Sequence, residues 1–191
     1  MADTQIGAYH LADNATIYEP QRSNTFEFIV TDIDNIIRVD KEEGDENATI
    51  ANASHILRFS VASSFVPTFQ QNAIEIRRGN SVMKAAGVPS FNSGSLTIND
   101  YIGADGKSVL MAWQGLSYDV KTEKVGQMAN YKKDCYLLEY TPDYSELVRT
   151  WRLVGCWVSG LQIDDFSYDS DGKRTVTASI QYDKAYMEVA E

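Results

Sequence analysis

The sequence has little of the material from which most catalytic and metal centres are built. It contains two histidines, His10 and His55, that lie far apart in the chain, and two cysteines, Cys135 and Cys156, within apolar runs. Neither cysteine belongs to a C-x-x-C motif or has a histidine nearby, which argues against redox and cysteine-nucleophile chemistry. We expect both to be buried thiols in a reducing compartment.

Long apolar runs and an excess of positive charge are also missing. No stretch reaches the roughly 20 apolar residues that a membrane-spanning helix needs, and the N-terminus lacks the basic and apolar segments of a secretion signal. The sequence therefore predicts no membrane span. Its net charge of −10, with a pI near 4.6, predicts a surface that repels nucleic acid phosphates and anionic membranes.

Three segments suggest ligand sites, but two lack a required residue and the third has a simpler explanation. Residues 103–108 (GADGKS) open a predicted helix, yet Tyr101 stands where a phosphate-binding loop needs its first glycine. Asp169–Gly172 resembles the start of a calcium loop, but Ile180 occupies the position of the bidentate glutamate. The acidic run 40–46 is typical of a solvated loop. The sequence also lacks G-x-S-x-G and H-E-x-x-H motifs, so we expect no enzyme, no metal and no cofactor.

The organisation of the chain favours one domain. Residues 1–24 are polar without a clear period and are interpreted as an N-terminal arm. Residues 25–191 are interpreted as a single β domain with an acidic loop insertion at 41–47 (KEEGDEN). Hydrophobic residues make up 43% of the chain and aromatic residues 11%, which is enough for a core and favours strands.

Alternation of apolar and polar residues predicts most of the secondary structure. Strands are expected within residues 25–40, 52–65, 73–78, 94–99, 134–140, 147–158, 161–168 and 174–182. In the second of these, Leu57, Phe59, Val61 and Phe65 would share one face, and in the third Ile74 and Ile76 would point inward.

Three local signals add detail to this pattern. Val109, Trp113, Leu116 and Val120 share one face at helical spacing and predict a helix over residues 106–118, capped by Asp105. Gly155 predicts a bulge within a strand, and residues 169–172 predict a hairpin turn. The predicted fold class is mainly β (α+β): an antiparallel β-sandwich or open barrel of about seven or eight strands with one flanking α-helix.

Several predicted strands carry one face of small, uncharged, hydroxyl-rich residues. Val176, Ala178 and Ile180 alternate with such residues in the last strand. An ordinary solvent face would explain this pattern, but solvent faces usually carry more Lys and Glu. A smooth polar face also suits the wall of a wide channel, and both interpretations remain open at this point.

The order of segments in the second half carries a family resemblance. Strand GSLTINDY, helix GKSVLMAWQGLSYDV and strand CYLLEYTPD lead to a W-x-L-x-G segment and a closing hairpin. The matching positions are Trp151, Leu153, Gly155, Leu161, Phe166, Tyr168 and Asp169. This arrangement resembles the tail tube proteins of bacteriophages, especially those with contractile tails, over roughly residues 59–187. Residues 1–50 match less well.

The resemblance implies a structural role without catalysis. Tail tube subunits form hexameric rings in which strands of neighbours join into one continuous β-barrel channel, and the rings stack into a tube that conducts DNA when the sheath contracts. The implied partners are other copies of the chain, the tail sheath, the baseplate, the tail terminator and passing DNA that is not bound specifically. The implied location is the virion tail, with assembly in the bacterial host cytoplasm.

The same resemblance suggests which residues carry these roles. The expected channel-lining residues are Ser60, Ala62, Ser95, Thr97, Asn99, Gln162, Asp164, Thr175, Thr177, Ser179 and Gln181. The expected inter-ring contacts are Tyr9, Tyr18, Lys41, Glu42, Glu43 and Asp45.

Two alternatives stay open from the sequence. One is a related tube: that of a type VI secretion system, of another contractile injection system, or of a baseplate tube-initiating protein. The other, from a different class, is a carbohydrate-binding β-sandwich whose exposed Tyr and Trp rings stack on sugars. We expect Trp151 and Trp157 to lie in the core or at interfaces instead.

Overall fold

The computed structural model describes residues 19–34, 36–37, 49–169 and 171–188. The strands are β1 (Phe26–Val30), β2 (Ile36–Ile37), β3 (Thr49–Ile50), β4 (Val61–Ser63), β5 (Phe69–Arg78), β6 (Ser81–Phe91), β7 (Gly94–Asn99), β8 (Tyr118–Asp119), β9 (Lys124–Val125), β10 (Lys133–Tyr140), β11 (Leu147–Ile163), β12 (Thr175–Gln181) and β13 (Lys184–Glu188). The helices are α1 (Ala53–Ser60), α2 (Gly106–Ser117) and α3 (Met128–Tyr131).

Seven strands form one curled antiparallel sheet. Its order is β1-β10-β11-β12-β7-β4, and β13 also pairs with β11. β11 belongs to two parts of the sheet, because residues up to Cys156 pair with β10 whereas Trp157–Ile163 pair with β12. The prediction of a mainly β fold is confirmed. The strands predicted over 147–158 and 161–168 are instead one 17-residue strand that ends at Ile163.

A bulge at Gly155 produces the change of partner along β11. Gly155 has φ +71°, a region that only glycine enters readily. On β10, Lys133 pairs with Cys156 and Cys135 with Leu153, so β11 has an extra residue here. The predicted bulge is therefore confirmed.

One face of the sheet packs against α1 and α2. The predicted helix is confirmed as α2, and the Asp105 carboxylate accepts the Ser108 N–H at 2.9 Å, as expected of an N-cap. Val109 and Trp113 are fully buried against the sheet core. Val120 lies beyond the helix and is exposed, so the apolar face is shorter than its spacing suggested.

The strand predicted over residues 52–65 is wrong for its first two thirds. Residues 53–60 form α1, and only Val61–Ser63 extend as β4. The buried positions Ala53, Leu57 and Ser60 follow helical spacing, while Phe59 is 66% exposed. The alternation of large side chains was misleading because two of the three core-facing positions are small residues.

Candidate assembly surface

The hydroxyl-rich face is formed where four strands lie side by side. On β12, Val176, Ala178 and Ile180 are fully buried under the helices, so the intervening residues face the opposite side of the sheet. On β7, Leu96 and Ile98 are buried in the same way. The sheet therefore buries one face in the monomer and leaves the other uncovered.

Pairing register brings the polar residues together across the strands. Gln162 of β11 lies opposite Thr177 of β12, which lies opposite Thr97 of β7. The hydroxyl oxygens of Thr97 and Thr177 are 3.2 Å apart, a hydrogen bond between strands. Ser95 lies opposite Ser179 in the next row. The structure thus assembles one continuous surface from residues far apart in sequence.

We call this surface the hydroxyl face. Ten of the eleven residues expected in a channel wall lie on its four strands or directly beside them, and each is exposed or half-buried: Ala62, Ser95, Thr97, Asn99, Gln162, Asp164, Thr175, Thr177, Ser179 and Gln181. Their role as a channel lining stays a prediction.

Ser60 is the exception. It lies in the last turn of α1, is fully buried and donates its hydroxyl hydrogen to the Ile56 carbonyl oxygen at 2.7 Å. Its side chain belongs to the interior of the domain, because residues 53–60 are helical. Ser60 is therefore removed from the expected channel wall.

Asp164 is the one carboxylate among the ten residues, and it is held in a fixed position. It accepts hydrogen bonds from the Thr175 hydroxyl at 2.6 Å and from the Thr175 N–H at 2.8 Å. These bonds, first that of the hydroxyl and then that of the amide, lower the pKa of Asp164 below its ordinary value of 3.8, and the charge of Arg174 adds to the effect.

We expect Thr175→Val to raise the pKa of Asp164, because the largest stabilising hydrogen bond is removed while the amide bond remains. Carbon-detected NMR titration of the carboxyl group measures this shift. The stability that Asp164 contributes is present above the unfolded-state pKa and is lost as pH falls through the lowered folded-state pKa. A Thr177→Val control should leave the titration of Asp164 unchanged, and equal midpoints in wild type and Thr175→Val would contradict the assignment.

Both lateral edges of this four-strand region are open. Among the described residues, β4 pairs with β7 alone, and Trp157–Ile163 of β11 pair with β12 alone. Neither edge carries a charged residue or a proline: their sequences are VAS and WVSGLQI. Monomeric proteins usually protect such edges with lysine, proline or a covering loop. These edges therefore lack the usual protection against strand addition.

A long hairpin extends from the same region. β5 and β6 pair with each other and, in the described part of the chain, with no other strand. The expectation that Ile74 and Ile76 point inward is wrong, since they are 54% and 46% exposed. In the described part of the chain neither strand pairs with a further strand, and an isolated two-stranded hairpin is marginally stable in water.

Sequence reasoning missed β6 and thus the hairpin. The available signal was Gly79-Asn80, a two-residue glycine-containing connection between two extended segments. Gly79 has φ +62°, as such turns require. The alternation in 81–91 is weak, which is why the strand was overlooked.

The expected inter-ring residues Tyr9, Tyr18, Lys41, Glu42, Glu43 and Asp45 lie outside the described residues and stay predictions. The same holds for most of the N-terminal arm and for the acidic loop at 41–47. Of the arm, residues 19–24 are described, and Gln21 donates its side-chain amide hydrogen to the Tyr140 carbonyl oxygen at 2.7 Å.

The segment that resembles a phosphate-binding loop is explained by local structure. At residues 103–108, the Asp105 carboxylate itself binds the Ser108 amide that a phosphate would need. Cys135 and Cys156 are fully buried, and burial raises the pKa of the Cys135 thiol, which disfavours the reactive thiolate. Within the described ranges, no group of three or more His, Cys, Asp or Glu could hold a metal ion, and no helix is long and apolar enough to cross a membrane.

No protein family and no curated protein matches the sequence, but solved structures match the fold. A chain of the cap that terminates the tube of the anti-feeding prophage has a TM-score of 0.63 at 14% identity, covering 90% of this chain and 92% of that chain. The sheath/tube terminator of PVC, an extracellular contractile injection system, gives 0.61 at 18% identity, covering 89% and 97%. The PVC sheath–tube complex gives 0.61 at 16% identity, covering 93% and 97%. The chain has the tail-tube fold.

In this tail-tube fold, three features of the described residues have no covering layer or pairing strand within one copy: the hydroxyl face, the two open edges and the β5–β6 hairpin. All three lie on or next to the four strands β4, β7, β12 and the end of β11. A single copy leaves them exposed together, so these features form the candidate assembly surface.

Proposed function

We propose that the chain is a structural subunit of a contractile tail, where six copies form a ring and rings stack into a tube. The observation that carries this proposal is the pair of open, uncharged edges beside the hydroxyl face. A copy that pairs its β4 edge with the β11 edge of a neighbour repeats the same contact around a ring. Such pairing satisfies backbone groups that one chain leaves open.

The size of the resulting barrel supports a conduit. Four strands from each of six copies give about 24 strands, more than the 16–18 strands with which porins enclose an aqueous channel. The hydroxyl face would line the interior, because the helices cover the opposite face. This lining contains no lysine or arginine among its ten residues, so DNA phosphates would find no cation to hold them during passage.

In this role the chain acts through assembly and not through catalysis. Its partners are other copies along the tube, with sheath, baseplate and terminator proteins around and at the ends of the tube. The location is a virion tail put together in the bacterial host cytoplasm. A second proposal within the same class is the tube of an injection system, favoured by the match to anti-feeding prophage and PVC structures.

Introducing lysines at one edge tests the ring. We expect Ala62→Lys/Ser63→Lys to abolish rings and tubes while leaving the folded monomer intact, because charged edges resist strand addition and both side chains are exposed. Negative-stain electron microscopy and sedimentation velocity of concentrated protein provide the measurement. The control Ser95→Lys places one lysine on β7, an interior strand of the sheet, and should retain rings. Monomeric wild-type protein at all concentrations would overturn the proposed function.

A further inference from the structure

The β5–β6 hairpin joins the rest of the domain at a narrow root. Phe69 and Phe91 form its first pair, and short connections lead from there to β4 and β7. Among the described residues no other strand pairs with β5 or β6. The direction in which the hairpin leaves the domain therefore depends on contacts at its root.

Tyr182 contacts this root through its hydroxyl group. The residue directly follows β12, and its side chain is buried. Its hydroxyl oxygen accepts the Thr68 N–H at 3.2 Å, and its hydroxyl hydrogen is donated to the Thr68 carbonyl oxygen at 3.3 Å. Burial raises the pKa of the Tyr182 hydroxyl, so the group stays protonated and able to donate at neutral pH. One side chain thus binds both backbone polar groups of the residue that precedes β5.

Thr68 is also bound to the other strand of the hairpin. Its carbonyl oxygen accepts the Asn92 N–H at 3.1 Å, and its hydroxyl oxygen accepts the side-chain amide hydrogen of Asn92 at 3.1 Å. Asn92 directly follows β6. Both strands of the hairpin are therefore connected to Tyr182 through Thr68.

Four aromatic rings surround this connection, and we call them the root cluster: Phe65, Phe69, Phe91 and Tyr182. The Tyr182 ring stacks on Phe65 and packs at an angle against Phe91, each with centroids 5.8 Å apart, and Phe91 lies 5.8 Å from Phe69. Phe65 lies directly on the first residue of β7, since a Cβ at Gly94 would be 2.1 Å from its ring. The root cluster therefore couples the hairpin to β7 and β12.

An open groove of about 500 Å³ lies on one side of the root. The root forms one wall of the groove, and β13 with the middle of β11 forms the other. The groove leaves room for the root to move toward β13 when the Tyr182 contact is lost. Its lining is mainly apolar and includes Pro67, Phe69, Phe91, Trp151, Tyr186 and Met187.

We propose that Tyr182 is the positioning residue of the β5–β6 hairpin. Its hydroxyl holds the root at Thr68 and selects one direction for the hairpin. Without the hydroxyl, the hairpin also populates a second direction, tilted across the groove toward β13. A hairpin that is oriented in the free chain loses less conformational entropy when a partner binds it. The proposal concerns one copy and does not depend on whether copies form rings.

Single-molecule energy transfer in a Tyr182→Phe chain tests the positioning. Dyes on Asn80→Cys at the hairpin turn and on Lys184→Cys of β13 report the distance between the two elements. Both positions are exposed, whereas the native Cys135 and Cys156 are fully buried. The phenyl ring keeps the packing and removes only the hydroxyl. We expect one dominant population in the doubly labelled parent protein. Tyr182→Phe should raise the share of a second population, of higher transfer efficiency, by about fivefold, the factor that corresponds to one net hydrogen bond.

Tyr140→Phe is the matched control, because it removes a tyrosine hydroxyl that donates to Glu27 at 3.3 Å and not to the root. It should give the distribution of the parent protein. Three results would overturn the proposal: an unchanged distribution in Tyr182→Phe, a parent hairpin that already divides evenly between two directions, or an equal shift in Tyr140→Phe. Picomolar concentrations keep the copies apart, so none of these results bears on ring formation, which the lysine variants of β4 test separately.

Discussion

Replacing Trp113 with alanine is expected to lower the free energy of unfolding by about 3–5 kcal/mol, as for other fully buried large aromatic residues. Trp113 is fully buried in the middle of α2, the helix that covers the sheet. Truncation leaves a cavity that the surrounding strands cannot fill, since protein interiors are close-packed. Urea denaturation followed by circular dichroism measures the loss.

The indole also connects three elements. Its Nε1–H donates to the Tyr131 carbonyl oxygen at 2.8 Å, and the Tyr131 ring makes an edge contact with Trp157 of β11, with centroids 5.9 Å apart. Trp113→Phe keeps most of the volume and removes this donor, so we expect a smaller loss of about 1 kcal/mol. The two variants separate packing from hydrogen bonding.

Met111 of the same helix provides the control, because its side chain is exposed. Met111→Ala should change the free energy of unfolding by no more than about 0.5 kcal/mol. Equal losses for Trp113→Ala and Met111→Ala would show that burial does not account for the effect.

Much of the fold was predictable where the local sequence signals agreed with one another. Val109 and Trp113 lie one turn apart behind the capping Asp105, and this agreement of period and cap identified α2. Val176, Ala178 and Ile180 alternate strictly with Thr177 and Ser179, which identified β12 and its polar face. In both cases local preference and tertiary packing favour the same structure.

Prediction failed where local patterns were compatible with two structures. Leu57, Phe59 and Val61 alternate like a strand, but burial selects Ala53, Leu57 and Ser60, and small residues give weak hydrophobic signals. Ile74 and Ile76 have the pattern of a half-buried strand, but both are exposed among the described residues. A local pattern does not specify which element covers a strand or pairs with it, so the hydroxyl face was predictable residue by residue whereas its open edges were not.

Gly155→Ala is expected to lower the free energy of unfolding by at least about 1–2 kcal/mol, the cost of placing a side chain at a left-handed position. A further loss comes from Asp183, because a Cβ at Gly155 would lie 2.4 Å from the Asp183 Oδ2 atom. Both carboxylate oxygens of Asp183 accept hydrogen bonds from the Lys132 ammonium group at 2.8 Å. Moving the carboxylate to make room therefore disturbs that ion pair.

A double-mutant cycle separates the two costs. Asp183→Ala removes the obstructing carboxylate and its partly exposed ion pair, for which we expect a loss of about 0.2–1 kcal/mol. In that background Gly155→Ala should cost only the backbone strain, so the cycle should give a favourable coupling within the range of about 0.5–3 kcal/mol. Thermal and urea unfolding of the four proteins provide the data. Gly160→Ala in the same strand is the control, since a Cβ there meets no atom within 4 Å.

The bulge bears on the proposed assembly because it lies where β11 changes partners. Residues up to Cys156 pair with β10 or β13, and Trp157–Ile163 form the edge beside the hydroxyl face. We expect a side chain at Gly155 to change the angle at which that edge leaves the rest of the domain. Gly155→Ala should thus reduce ring yield under conditions where the monomer is still folded. Additive losses in the cycle would show that the bulge does not set the packing of Asp183, and full ring yield from folded Gly155→Ala protein would show that it does not set the direction of the edge.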